Sequence, residues 1–134
     1  MSRGEPLTDA DRWDWLTVLR EESIRRLATD PGAPGVVVTC SALKRKYRDV
    51  LRVAPYYVQH LRVHFIYLRA PEDVLLQRVA NRQGHYMGAD MVHSQVSILE
   101  MPAADETDVI TLDVTRPAEE VRQDALERVL GAMV

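Results

Sequence analysis

The apolar positions of this chain change their spacing several times, and each change marks a new element. Behind Thr8 and Asp9, residues that favour helix starts, Trp13, Leu16, Leu19, Ile24 and Leu27 recur at mostly helical spacing. This predicts a helix over residues 9–28, ended by Asp30-Pro31-Gly32-Ala33-Pro34-Gly35. Val36-Val37-Val38-Thr39-Cys40 is β-branched and apolar without alternation, as a strand buried on both faces reads. Ser41 is placed to cap a helix over 44–52, with Tyr47, Val50 and Leu51 facing inward. A second strand is predicted over 63–68, a helix over 71–82, a loop over 83–88 and a helix over 90–100. A third strand follows over 109–114, and Pro117 opens a last helix carrying Val121, Leu126, Val129 and Leu130. Strands alternating with helices predict βαβ units and a mostly parallel sheet. Three strands are few for such a sheet.

Composition narrows the classes. The 134 residues suffice for one domain, and 46% apolar with 28% charged is ordinary for a globular protein. No apolar run approaches the roughly 20 residues of a membrane span. The first residues lack the apolar stretch of a secretory signal. A net charge of −3 gives no bulk attraction to nucleic acid. The single Cys40 cannot form an internal disulfide and fits a reducing compartment; the cytoplasm is the expected location. Neither Cys40 nor the four histidines show metal-ligand spacing, so no metal site is expected, and His60, His64 and His93 read as surface or strand residues.

Three segments could carry chemistry. Cys40-Ser41-Ala42-Leu43-Lys44, with Tyr47, Arg48 and Asp49 a turn later, stands at the carboxyl end of a predicted strand. Open α/β sheets bind ligands there, and a helix start with a hydroxyl and cations suits an anionic or polyhydroxylated ligand. The same residues also fit a plain N-cap with a solvated basic face. Arg78 and Arg82 lie four apart on one helix face, ahead of Gly84-His85-Tyr86. Paired guanidiniums beside such a loop can clamp phosphate oxygens, or can simply be exposed. Gln95, with Leu99, Glu100 and Pro102, sits on an amphipathic helix with a proline stop.

Taken together these segments resemble the gluconokinases. The resemblance rests on Gly4-Glu5-Pro6-Leu7-Thr8-Asp9 with Asp11-Arg12 and Trp15-Leu16, and on Cys40-Ser41-Ala42-Leu43-Lys44 with Tyr47-Arg48-Asp49 and Leu51-Arg52. It continues through Phe65-Ile66-Tyr67-Leu68, Arg78, Arg82, Gly84-His85-Tyr86-Met87, Ser94-Gln95, Leu99-Glu100, Pro102 and Ala104-Asp105-Glu106-Thr107-Asp108-Val109. Val96 departs from it, since many relatives carry an aromatic there. The resemblance implies an α/β fold of the P-loop kinase type, three-layered with a parallel sheet, and transfer of the γ-phosphoryl of ATP to the 6-hydroxyl of D-gluconate. It implies that Arg12, Ser41, Lys44, Arg48, His85 and Gln95 serve the substrate. It makes Arg78 and Arg82 the catalytic phosphate clamp, in a lid over about 82–90 that includes His85. ATP and Mg²⁺ are the implied cofactors, D-gluconate and ATP the partners, with a homodimer as the expected assembly. A shikimate kinase-like alternative is disfavoured by the Cys-Ser-Ala-Leu-Lys block.

The signature G-x-x-x-x-G-K-[ST], whose amides and lysine cradle phosphates, is absent: none of the six glycines precedes a lysine. The expectation is therefore a single partial kinase domain over 1–134 that lacks the family's first two strands, its P-loop and the acidic segment implied to supply the catalytic base. It would correspond to roughly the C-terminal three-quarters of the pattern, because a strand–loop–helix–strand unit takes about 30 residues or more. Little or no kinase activity is expected of the chain alone. Low stability or association through unpaired strand edges is expected too. The alternative is a non-catalytic short form that binds gluconate or a partner subunit.

Overall fold

The computed structural model describes residues 8–56, 58, 61–81 and 88–133. Helix α1 (Asp9–Thr29) opens on a reciprocal cap: the Thr8 hydroxyl accepts from the Asp11 amide, and the Asp11 carboxylate accepts from the Thr8 amide. It leads through a stretch without helix or strand to α2 (Arg45–Arg52), followed by a short 3₁₀ turn over Ala54–Tyr56. Strand β1 (Phe65–Arg69), α3 (Glu72–Ala80), α4 (Ala89–Ile98), β2 (Val109–Asp113) and α5 (Ala118–Ala132) complete the order. β1 and β2 pair in parallel with Phe65 opposite Val109 and Arg69 opposite Asp113. A parallel pair needs a crossover, and α3 and α4 provide it.

Two expectations need correction. Among the described residues the sheet has two strands, not three. Residues 36–40 form neither helix nor strand and join no ladder, and Val37 is 94% exposed. A β-branched run favours extended backbone, but a strand also needs a neighbour for its N–H and C=O groups. Secondly, Ser41 does not cap α2. The helix begins three residues later than such a cap requires, with Lys44 in the cap position. Its first amide is satisfied from a distance: Arg45 N donates to Glu100 Oε1 at 2.8 Å.

The buried centre lies between α1 and α2. Leu16, Tyr47 and Val50 are nearly inaccessible, and Leu43 and Leu51 pack against them. Arg20 ties the helices by donating to the Val50 carbonyl at 3.0 Å. The sheet is less covered. Leu112 is buried, whereas its register partner Leu68 is 57% exposed and α3 and α5 have no fully buried residue.

Candidate functional site

Helix α2 has two chemically different faces. Arg45, Arg48 and Arg52 fall at i, i+3 and i+7, on one side. They meet a connecting segment rich in acids. Arg45 forms a bidentate pair with Asp105, at 3.0 and 2.8 Å. Arg48 grips Glu106 through Nε at 2.7 Å and Nη2 at 3.0 Å, and both side chains are almost wholly buried. Arg52 reaches Glu106 at 2.6 Å and Asp108 at 2.8 and 2.9 Å, and its guanidinium lies 4.9 Å from the centre of the Phe65 ring. These hydrogen bonds, the Arg48 pair first, hold the Glu106 carboxyl at about 2, against an ordinary 4.5.

The other face carries Lys46 and Tyr47 toward α1. The buried Tyr47 hydroxyl donates to the Asp9 carboxylate, as does the Lys46 ammonium; Lys44 Nζ stands 3.5 Å from the same carboxylate. The contacts with Lys46 and Tyr47 push the Asp9 carboxyl well below its usual range. Burial, aided by the bond to Asp9, raises the Tyr47 phenol to about 12. Three cations surround the phenol ring: Arg12 at 5.6 Å from its centre, Lys44 at 5.7 Å and Lys46 at 6.0 Å. Arg12 is the unusual one. It is 5% exposed, yet its Nε and Nη2 have no hydrogen-bond partner among the described residues. Buried polar groups are almost always bonded, so two idle guanidinium donors beside two lysines mark a place suited to an anion.

Of the residues singled out from the sequence, Arg12 and Lys44 are thus brought together over Tyr47. Arg48 lies one turn further on but faces away, spending its donors on Glu106 and on the carbonyls of Ala42 and Leu43. Ser41 is exposed in the stretch before α2, and Gln95 is half-buried on α4. Arg78 is on α3, where it lines a cavity of about 430 Å³ with Val114, Arg116, Ala118, Val121 and Arg122. Arg116 is tied to Asp124 and Arg122 to Glu119, while Arg78 has no ion pair or hydrogen bond among the described residues. The cavity sits at the carboxyl end of β2, the end at which open α/β sheets bind ligands. Arg82, His85 and most of the expected lid lie outside the described residues.

Sequence reasoning missed Asp9, Lys46 and Glu106 as partners of these side chains, and Arg116 and Arg122 as neighbours of Arg78. The arginine spacing on α2 and the run Asp105-Glu106-Thr107-Asp108 carried the one usable signal.

No family model matches the chain. Individual relatives do. Over 135 residues it is 45% identical to a probable gluconokinase of Schizosaccharomyces pombe, covering 95% of this chain and 65% of that protein. Over 127 residues it is 37% identical to the thermoresistant gluconokinase of Escherichia coli, covering 95% of this chain and 68% of that relative. The crystal structure of a gluconokinase from Sinorhizobium meliloti superposes with a TM-score of 0.75 at 40% identity, over 95% of this chain and 66% of that one. The chain therefore spans about two thirds of the length of these relatives, less than the three-quarters expected. With its parallel α/β arrangement and these identities, the chain belongs to the gluconokinase family of P-loop kinases.

Proposed function

We propose that this chain binds D-gluconate at the corner between α1 and α2 and serves phosphoryl transfer from ATP to the sugar acid's 6-hydroxyl. The observation that carries the reading is Arg12, a buried guanidinium with two donors unbonded among the described residues. A carboxylate is the natural partner for such a fork, and pairing it removes a cost of about 1–3 kcal/mol per buried unsatisfied group. Lys44 and Lys46 add positive charge, and Asp9 holds both near Tyr47. Ser41 and Gln95 are the neutral partners for the hydroxyls. Arg48 takes a supporting place, behind the loop that carries Ser41 and Lys44.

The phosphate end of the reaction is assigned to Arg78, with Arg82 and His85 from the lid. In the cavity lined by Arg78, Arg116 and Arg122, Arg78 is the guanidinium with no carboxylate partner among the described residues, and it is the group offered to a phosphate of ATP, which supplies the phosphoryl group when bound. For Mg²⁺ the fit is poor: among the described residues no three acidic, histidine or cysteine side chains are gathered to hold a metal ion, and no residue is assigned to it. The 134 residues contain no G-x-x-x-x-G-K-[ST], so by themselves they should turn over no ATP. Phosphoryl transfer depends on positioning and charge stabilisation, and the backbone cradle is a large part of both. The proposal extends to a homodimer in the cytoplasm, supported by the family resemblance and, for the location, by the lone thiol.

Titration calorimetry of the purified chain with D-gluconate tests the binding. Heat of binding is expected for the wild type, and Arg12→Gln should weaken it at least tenfold, the scale of losing one charge-assisted fork. A wild type that binds no gluconate, or an Arg12→Gln variant that binds it equally well, would overturn the reading. ATP-dependent formation of 6-phosphogluconate by the chain alone would overturn its predicted inactivity.

A further inference from the structure

We propose that Glu106 is a positioning residue for the gluconate corner, acting through Arg48 on the loop that carries Ser41 and Lys44. This rests on the function proposed above.

The chain of contacts is continuous. The Glu106 side chain is 1% exposed and accepts from Arg48, Arg52 and the Ala103 amide. These bonds use both carboxylate oxygens and leave the group no freedom to turn. Arg48, held by two of its nitrogens, points Nη1 at the carbonyls of Ala42, 3.1 Å away, and Leu43, 3.4 Å away. Those carbonyls lie between Ser41 and Lys44. The same loop is held a second time from the acidic segment, because Glu100 N donates to the Leu43 carbonyl at 2.7 Å. Residues 41–44 have no helix or strand of their own; the Lys44 carbonyl accepts from the Tyr47 and Arg48 amides of α2, and the bonds from Arg48 and Glu100 hold the carbonyls of Ala42 and Leu43 before it. A loop that must present a hydroxyl and an ammonium to a ligand works only if something rigid stands behind it. Asp108 belongs to the same ion network, but among the described residues its side chain hydrogen-bonds only with Arg52, which has no bond to the loop. It separates a role in holding the fold from a role in placing the site.

The experiment uses the full chain and three variants: Glu106→Gln, Arg48→Lys and Asp108→Asn. Two quantities are read, the gluconate Kd by calorimetry and the hydrogen exchange of the Glu100 amide, which donates to the Leu43 carbonyl, relative to α5. Glu106→Gln and Arg48→Lys should each raise the Kd by about 10- to 100-fold, the range seen when a supporting group or a small misplacement loosens a site. They should also speed exchange of the Glu100 amide while α5 stays protected. Asp108→Asn should lower the melting temperature and leave both quantities at wild-type values. Should Glu106→Gln not fold, Arg48→Lys decides alone. Unchanged exchange at Glu100 in either folded variant overturns the proposal. So does an unchanged Kd, or an Asp108→Asn variant that loses binding to the same degree. A wild type that binds no gluconate overturns the proposed function instead, and the exchange of the Glu100 amide still decides whether Glu106 positions the loop.

Discussion

The two halves of this molecule are built by different means. The corner formed by α1, α2 and residues 100–108 buries Leu16, Tyr47 and Val50 and, unusually, three charged residues: Arg12, Arg48 and Glu106. The half formed by β1, β2, α3 and α5 buries one strand residue fully, Leu112, and leaves Ile66, Leu68, Leu126 and Leu130 substantially exposed. The first half specifies geometry with directional bonds among charged groups. The second relies on apolar contact and is incompletely covered. Buried ion pairs are weak sources of net stability but severe penalties when one partner is lost. The polar half should therefore be brittle to single substitutions, and the apolar half tolerant of them.

The largest effect should come from Glu106→Ala. It leaves the buried Arg48 guanidinium without its carboxylate, at a cost of about 3–5 kcal/mol. Leu68→Ala, on the exposed face of β1, should cost about 1 kcal/mol or less, because little of the side chain leaves an apolar environment. Urea unfolding of both variants gives the comparison directly. Equal losses would mean that the sheet is as tightly packed in solution as the corner is.

A smaller effect is expected from acid. The Glu106 carboxyl falls from 4.5 to about 2 on folding, chiefly through its bond with Arg48. A depressed folded-state value means that the unfolded chain takes up the proton first. The stabilising contribution is complete above about pH 4.5 and is lost as pH falls toward about 2. Wild-type stability should decline through that window, and the folded Glu106→Gln variant should show a shallower decline between about pH 4.5 and about 2. Identical slopes would place the acid sensitivity in other carboxylates, such as Asp9 or Asp105, whose values are also depressed.

How much of this could be read from the sequence follows the same division. Elements whose signal is local were legible: α1 from its cap and its apolar spacing, β1 and β2 from short apolar runs, α5 from Pro117 and the residues after it. The extent of α2 was read to within one residue, but its cap was misread: the first amide is satisfied by Glu100, 55 residues away, and a nearby serine looked sufficient. Arg12 and Lys44 were placed by family resemblance; only the structure supplies the burial of one and the shared Tyr47 ring. Arg48 was read as facing a ligand, since its partner Glu106 is 58 residues distant and invisible to local spacing. Long-range polar pairing is what sequence patterns show least.

The smallest expected effect tests the most conspicuous misreading. Val36–Val38 have the composition of a strand buried on both faces, yet Val37 is almost entirely exposed and 36–40 join no ladder among the described residues. On that geometry Val37→Thr keeps the β-branched backbone preference and moves no group out of a packed interior. Surface changes of this kind stay within about 0.5 kcal/mol, so the urea midpoint should be unchanged. Sedimentation of the wild type at rising concentration completes the test. If the unfolding free energy drops by more than about 1 kcal/mol and the protein associates, the valines are buried in solution, against another copy of the chain. If the midpoint holds and the protein sediments as a monomer, the run is an exposed strap. The stability of the described fold would then come from the charged corner, Leu112 and the buried Met91 and Val92 of α4, not from the segment whose sequence looked most like core.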